Sequence, residues 1–214
     1  MFMRFVVALL TTMLALVACA EDKGSQPAFV EGKDYIVLAK PVHTVDPNKI
    51  EVTEVFWYGC GHCFQFEPLI SAWKKTQKDD VVFRGSPAMW RPNMELHARA
   101  FYTAQALGVQ EKLHQPLFNA LNLNHMALDD EKSLEDFFAA QGVDREKFKK
   151  VFSSFGVTSQ VKQADARARS YGITGTPELI VDGKYRVSGR TAGSHEEMLK
   201  VVDFLVAKIR AEKG

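Results

Sequence analysis

Two of the three cysteines in this 214-residue chain, Cys60 and Cys63, stand two residues apart in the stretch "WYGCGHCF". Thiols at that spacing can hold a metal, close a loop or exchange electrons. A structural zinc site needs four ligands and the pair supplies two, while His43, His97, His114, His125 and His195 are scattered singly, none in a paired ligand spacing. Covalent haem attachment needs a histidine directly after the second cysteine, and Phe64 stands there. A bridge closing so short a loop removes little entropy from the unfolded chain and would be a poor staple for a domain of this size. Electron exchange is the chemistry left, and it calls for no metal and no cofactor.

The elements around the pair suit that chemistry. The run "KIEVTEVFWY", 49–58, is mostly apolar and reads as a central strand buried on both faces. Gly59 ends it, and from Cys60 the apolar residues Phe64, Leu69, Ile70 and Trp73 fall at helical spacing, with Pro68 expected to kink the helix. Cys60 therefore sits at a helix N-terminus, where unpaired N–H groups and the positive end of the helix dipole favour a thiolate. His62 can lower the Cys60 pKa further, and Cys63, one turn in, is expected to be more buried and to act as the resolving thiol. A stabilised thiolate stabilises the reduced state, which makes the disulfide a stronger oxidant.

Elsewhere, strands are expected at 35–39, 81–87, 178–181 and 184–188, the last two joined by the hairpin dipeptide Asp182-Gly183. Between them, 93–108, 110–123, 133–142, 144–155 and 158–171 read as helices, with Ser133 and Asp136 as one capping box. Ser194 with Glu197 opens a last amphipathic helix running through Ile209. The order is β-α-β, a helical insertion, then β-β-α. It divides the chain into a leader at 1–19, a tether at 20–33, an α/β domain at 34–90 and 172–214, and a helical insertion at 91–171.

Apolar residues make up 46% and charged residues 25% of the chain, ordinary globular values. With Arg4 removed, 26 basic face 26 acidic side chains, so electrostatic capture of nucleic acid is not expected. The start, "MFMRFVVALLTTMLALVACAEDKG", has one Arg, a short apolar run and then small residues, the pattern of an export signal. Ala18-Cys19-Ala20 fits ordinary signal cleavage, whereas Leu16-Val17-Ala18-Cys19 resembles a bacterial lipobox. The lipobox is preferred, because lipidation of Cys19 would remove an unpaired exported thiol and anchor the chain to a membrane. Either cut places the mature protein outside the cytoplasm, in the periplasm, where disulfides persist.

"EVFWYGCGHC", the helical insertion and "GTPELIVDGKYRV" together resemble the DsbA family, periplasmic disulfide oxidases with a thioredoxin fold carrying an inserted all-helical domain. The resemblance spans about 29–208 and implies an α/β fold of that kind. It also places Thr176-Pro177 beside Cys60 with a cis bond before Pro177, leaving the Thr176 backbone free to pair with substrate; read alone, Pro177 could instead be an ordinary strand-start proline, the lesser alternative. Glu54 matches the family's buried acid, which tunes the thiols and relays protons to Cys63; read alone, it could be a solvated strand residue. Two features depart from the family. Gly61-His62 replaces the typical Pro-His, and the acid's basic partner is missing, with Gly85 near its position and Arg84 on the other face.

The expected function is a monomeric, exported enzyme that introduces disulfides into unfolded or partly folded exported proteins and is reoxidised by a DsbB-like membrane partner. Oxidase is favoured over isomerase or reductase because only the tether and about twenty residues precede the thioredoxin core. A reading from another class is a non-catalytic peptide-binding chaperone using the apolar surface near Trp57, Phe64 and Pro177.

Overall fold

In a computed structural model, residues 28–213 are described. The signal segment, Cys19 and the first part of the expected tether lie outside them. From Phe29 onward that tether is already folded: Phe29 packs edge-on against Phe204 at 5.6 Å, and the Val30 N–H donates to Asp34 at 2.8 Å.

The strands are β1 (Ile36–Val37), β2 (Ile50–Phe56), β3 (Val81–Pro87), β4 (Glu178–Val181) and β5 (Tyr185–Ser188). They form one sheet in the order β1-β5-β4-β2-β3, with only β2 and β3 parallel. Every residue of β2 is buried, as its apolar run demands. The β4–β5 turn puts Asp182 at φ 51° and Gly183 at φ 63°, the primed-turn conformation expected of this dipeptide. A side chain at 183 would also collide with the Val42 carbonyl, 1.9 Å from the Cβ position.

Helix α1 (Gly61–Lys74) follows β2, and the helical insertion comprises α2 (Pro92–Ala106), α3 (Gln110–Asn122), α4 (Glu131–Ala140), α5 (Arg145–Phe152) and α6 (Phe155–Ser170). A short α7 (Gly189–Ala192) and a long α8 (His195–Lys213) close the chain. One core packs Phe66, Ile70 and Trp73 of α1 with Met198, Val201, Val202, Leu205 and Ile209 of α8 against the sheet. Each such side chain, fully buried, contributes about 1.5–3 kcal/mol. The second core runs from Phe56 and Tyr58 into the insertion.

Several expected boundaries shift. β1 keeps only two residues of 35–39, because the pairing with β5 covers Ile36 and Val37 alone. β2 stops at Phe56, since Trp57 and Tyr58 turn into the insertion. The capping box of α4 is made by Asp130 with Ser133 at the third helical position, not by Ser133 with Asp136. The helix starts earlier there because the Asp130 carboxylate reaches the Ser133 N–H at 2.6 Å. Helix α7, capped by Ser188, was not expected. Helix α1 runs through Pro68, which is exposed, so the carbonyl it leaves unbonded can face water.

Candidate active site

Cys60 is the N-cap of α1, in an extended conformation (φ −89°, ψ 114°), and its sulfur accepts the Cys63 backbone N–H at 3.4 Å. Cys60 is partly exposed and Cys63 is fully buried, and both are free thiols. The Cys60 thiol donates to the Thr176 carbonyl at 3.3 Å, and the Thr176-Pro177 bond is cis. Cys60, His62, Cys63 and the Thr176-Pro177 pair are therefore gathered at one point, although 116 residues separate Cys60 from Thr176.

The two sulfurs occupy opposite electrostatic environments. Cys60 is lowered to about 5, chiefly by the hydrogen bond with the Cys63 side chain, against an opposing contribution from burial. The Thr176 side chain and the Cys63 and His62 N–H groups lower it further. Cys63 is pushed well above the ordinary thiol value, first by burial and then by its bond to Cys60 and the neighbouring Cys60 and Glu54 charges. A neutral resolving thiol beside an ionised nucleophile is the division of labour that dithiol exchange needs.

Glu54, on β2, is 2% exposed and its Oε1 has no hydrogen-bond partner. Burial and the nearby Glu67 raise its pKa to about 8, with Lys74 opposing. Opposite it in the sheet stands Gly85, where a Cβ would approach the Phe101 ring to 3.1 Å. Phe101 of the insertion thus packs against the position from which a basic side chain would reach Glu54. Arg84 points to the other face, where it pairs with Glu51 at 3.2 Å.

The insertion also fixes the two residues before the redox turn. The Trp57 indole N–H donates to His97 Nδ1 at 2.9 Å, and His97 Nε2 lies 3.1 Å from the Leu128 carbonyl. With Nδ1 accepting, Nε2 carries the proton and donates; the ring is neutral, and burial holds its pKa below the ordinary value. Tyr58 bonds His114 Nδ1 at 2.8 Å, and His114 Nε2 lies 3.3 Å from buried Glu67. Asn122 donates to the Tyr58 carbonyl at 2.8 Å. On the other flank, Glu178 Oε1 accepts from the Thr174 N–H and hydroxyl and the Gly175 N–H at 3.3, 3.2 and 3.1 Å. Arg186 reaches Glu178 Oε2 at 3.6 Å and also donates to the Tyr171 and Gly172 carbonyls. This clamp holds the segment that leads into Pro177.

His97, His114, Glu67 and Glu178 escaped the sequence reading of the site. The one available signal was Glu67, a carboxylate on the helix face that also carries Cys63, Phe66 and Ile70. His195, another isolated residue in sequence, lies 6.3 Å ring to ring from His62. Both line a cleft of about 810 Å³ that also includes Thr176 and Pro177. Among the described residues no helix is long and apolar enough to cross a membrane.

Comparison with known proteins gives a consistent result. A family model described as DSBA-like thioredoxin domain matches residues 70–194. The thiol:disulfide interchange protein DsbA of Pseudomonas aeruginosa is 38% identical over 203 residues, covering 95% of this chain and 96% of that protein. Its namesake in Azotobacter vinelandii is 39% identical over 202 residues, 94% of each chain. The crystal structure of Pseudomonas aeruginosa DsbA superposes with a TM-score of 0.83 at 40% identity, covering 86% of this chain and 96% of the other. The oxidoreductase DsbA from Xylella fastidiosa gives 0.80 at 31% identity, covering 87% and 100%.

Proposed function

Because the chain belongs to the DsbA family of thiol:disulfide interchange proteins, it is a dithiol-disulfide oxidoreductase, and we propose that Cys60 and Cys63 introduce disulfides into exported proteins. The carrying observation is the environment of Cys60, whose pKa is lowered to about 5 beside a buried partner held far higher.

The steps follow from those environments. A substrate thiolate attacks Cys60 Sγ in the oxidised enzyme; the Cys60–Cys63 bond breaks, its electron pair leaves on Cys63, and a substrate–Cys60 bond forms. Cys63 then takes up a proton, for which Glu54, protonated at neutral pH, is the nearest proposed source. A second substrate thiolate attacks the substrate sulfur of the mixed disulfide, and Cys60 departs as a thiolate, a good leaving group because of its low pKa. The substrate loses two electrons and two protons and the enzyme gains the electrons. During the exchange the Thr176 backbone, held beside Cys60, pairs with the extended substrate, and His62 favours the departing thiolate.

The reduced enzyme must return its electrons to an acceptor. A DsbB-like membrane protein is the proposed one, with unfolded or partly folded exported proteins as donors. The proposed setting is the periplasm, with a monomer anchored through lipidated Cys19; mass spectrometry of the mature N-terminus tests the anchor, and an unmodified start at Glu21 excludes it. Equilibration with glutathione tests the direction of electron flow. The oxidase reading requires a potential well above that of cytosolic thioredoxins, and a value as low as theirs would reverse it.

A further inference from the structure

The cleft beside the redox pair has a polar lining that the exchange steps leave unused. Its walls come from the start of α1, the segment before Pro177, β5, α7 and the start of α8. His62, Arg190 and His195 all line it. Two carboxylates line it as well, Glu178, which is paired, and Glu196, which faces solvent. Glu178 is buried, accepts three hydrogen bonds from the Thr174–Gly175 segment and faces Arg186. Glu196, exposed at the start of α8, is ionised, its own backbone N–H and the Ser194 side chain holding its carboxyl below the ordinary range. Arg190 is exposed on α7, and among the described residues no carboxylate lies within ion-pair distance of it. Arg190 therefore stands in the cleft as a cation free to meet a substrate carboxylate.

His195 faces His62 across this corner. Its ring is half-buried, 5.1 Å from that of Phe66 and 6.3 Å from that of His62, with the two imidazoles at 83°. From these observations we infer that His195, with His62 and Arg190, selects substrates carrying a carboxylate side chain next to the reacting cysteine. A substrate sulfur at Cys60, paired with the Thr176 backbone, brings its neighbouring residue past this cleft. The inference rests on the oxidase reading above and adds a preference among its substrates.

A pH signature follows. Burial, then the neighbouring His62, hold the His195 pKa below its ordinary value, while Glu196 and the Cys60 thiolate oppose them. In the oxidised enzyme, which substrate meets, Cys60 carries no charge and that opposition is absent. Facing the ring are His62 on α1, Cys60 at its N-cap and Glu196 on its own helix, while Arg190 on α7 and the Glu178–Arg186 pair line the same cleft. As pH falls, His195 gains its proton, below the ordinary imidazole range. Falling pH therefore adds positive charge facing the substrate, while a substrate aspartate stays ionised to about pH 4.

The test uses two short dithiol peptides differing only in Asp or Asn beside the first cysteine, oxidised by the full-length enzyme in its disulfide form. The readout is the ratio of kcat/KM, Asp over Asn, which cancels any general loss of activity in a variant. At pH 6 and low salt the wild-type ratio should exceed that of the doubly substituted His195→Gln, Arg190→Gln enzyme by about fivefold, the scale of partly exposed charge pairs. It should shrink at pH 8 and in high salt. His195→Lys should keep the ratio high and weaken its pH dependence between 6 and 8. Equal ratios in wild type and the double variant, or a ratio indifferent to pH and salt, would overturn the selection. If the wild type oxidises neither peptide, the oxidase reading fails first and takes this inference with it.

Discussion

The two sides of the redox pair differ in what surrounds the sulfur. On the cleft side, Cys60 meets N–H donors, a helix start and an open wall lined by two histidines. On the buried side, Cys63 meets aromatic rings, Glu54 without a partner, and Glu67 bound to His114. Chemically identical groups one helical turn apart are thereby pushed in opposite directions. The lesson is that the fold does not make both thiols reactive. It makes one ionise and the other stay protonated, and it packs the insertion against the second.

The largest break in this contrast comes from deleting one sulfur at a time. Cys60→Ser should reduce peptide oxidation to the uncatalysed level, since the exposed nucleophile is gone. Cys63→Ser should also stop turnover, but it should still form a mixed disulfide with a substrate activated as a disulfide, recoverable by mass spectrometry as a stable adduct. If the Cys60→Ser enzyme kept full activity, the division between the two sides would be wrong.

Next in size is the effect of the thiolate on stability. Between a folded pKa of about 5 and an unfolded value near 9, the unfolded reduced chain binds more protons at Cys60 than the native one. Stability of the reduced protein therefore rises with pH across that window and is lost as pH falls through 5. The oxidised protein lacks this titration. Urea unfolding of both forms should show the reduced form gaining on the oxidised form by roughly 2–3 kcal/mol between pH 5 and 8, a figure discounted for the partial exposure of Cys60. Parallel pH curves for the two forms would remove the basis of the low Cys60 pKa.

Glu54 has the opposite sign. Its folded pKa of about 8 lies above the ordinary 4.5, so the native state holds the extra proton. The stability this proton preserves is fully present below pH 4.5 and is lost as pH rises through 8. Glu54→Gln stays neutral and should not show that loss. The difference between the two pH curves should amount to about 2 kcal/mol by pH 9, with the variant relatively stronger at high pH. Superimposable curves would mean that Glu54 is less isolated than its unpartnered oxygen indicates.

Much of the buried side was legible in the sequence, and much less of the cleft side was. The apolar run through β2 declared Glu54 buried, and the helical spacing after Gly59 put Cys60 at a helix start; both are local patterns with a period to read. Asp182-Gly183 declared its turn because few dipeptides tolerate two positive φ values. The cis Thr176-Pro177 bond and its place beside Cys60 came through family resemblance, since a proline before a strand has an ordinary explanation of its own. His195 and Glu178 left no readable trace. Single polar residues carry no periodicity, and their meaning arises only when β4, β5, α7 and α8 fold back over residues more than a hundred positions earlier. The start of α4 was misjudged for a related reason, because two overlapping polar pairs three residues apart competed for one helix start, and backbone geometry chose Asp130.

The smallest effect concerns the residue between the two sides. Gly61 is the first residue of α1, where a proline's fixed φ suits the helix and its missing N–H costs no intrahelical bond. A Cβ added there would meet nothing within 4 Å. Cys60 already holds the extended conformation that a following proline requires. Gly61→Pro should therefore fold normally and gain about 0.4–1 kcal/mol, because the unfolded chain loses more freedom than the folded one. The N–H groups that favour the Cys60 thiolate belong to His62 and Cys63, not to Gly61. The substitution should thus leave the Cys60 pKa within about half a unit, read from thiolate absorbance against pH. A larger shift would place the control of the thiolate in the backbone of the dipeptide, and the contrast between cleft and core would then depend on Gly61 as well as on the walls.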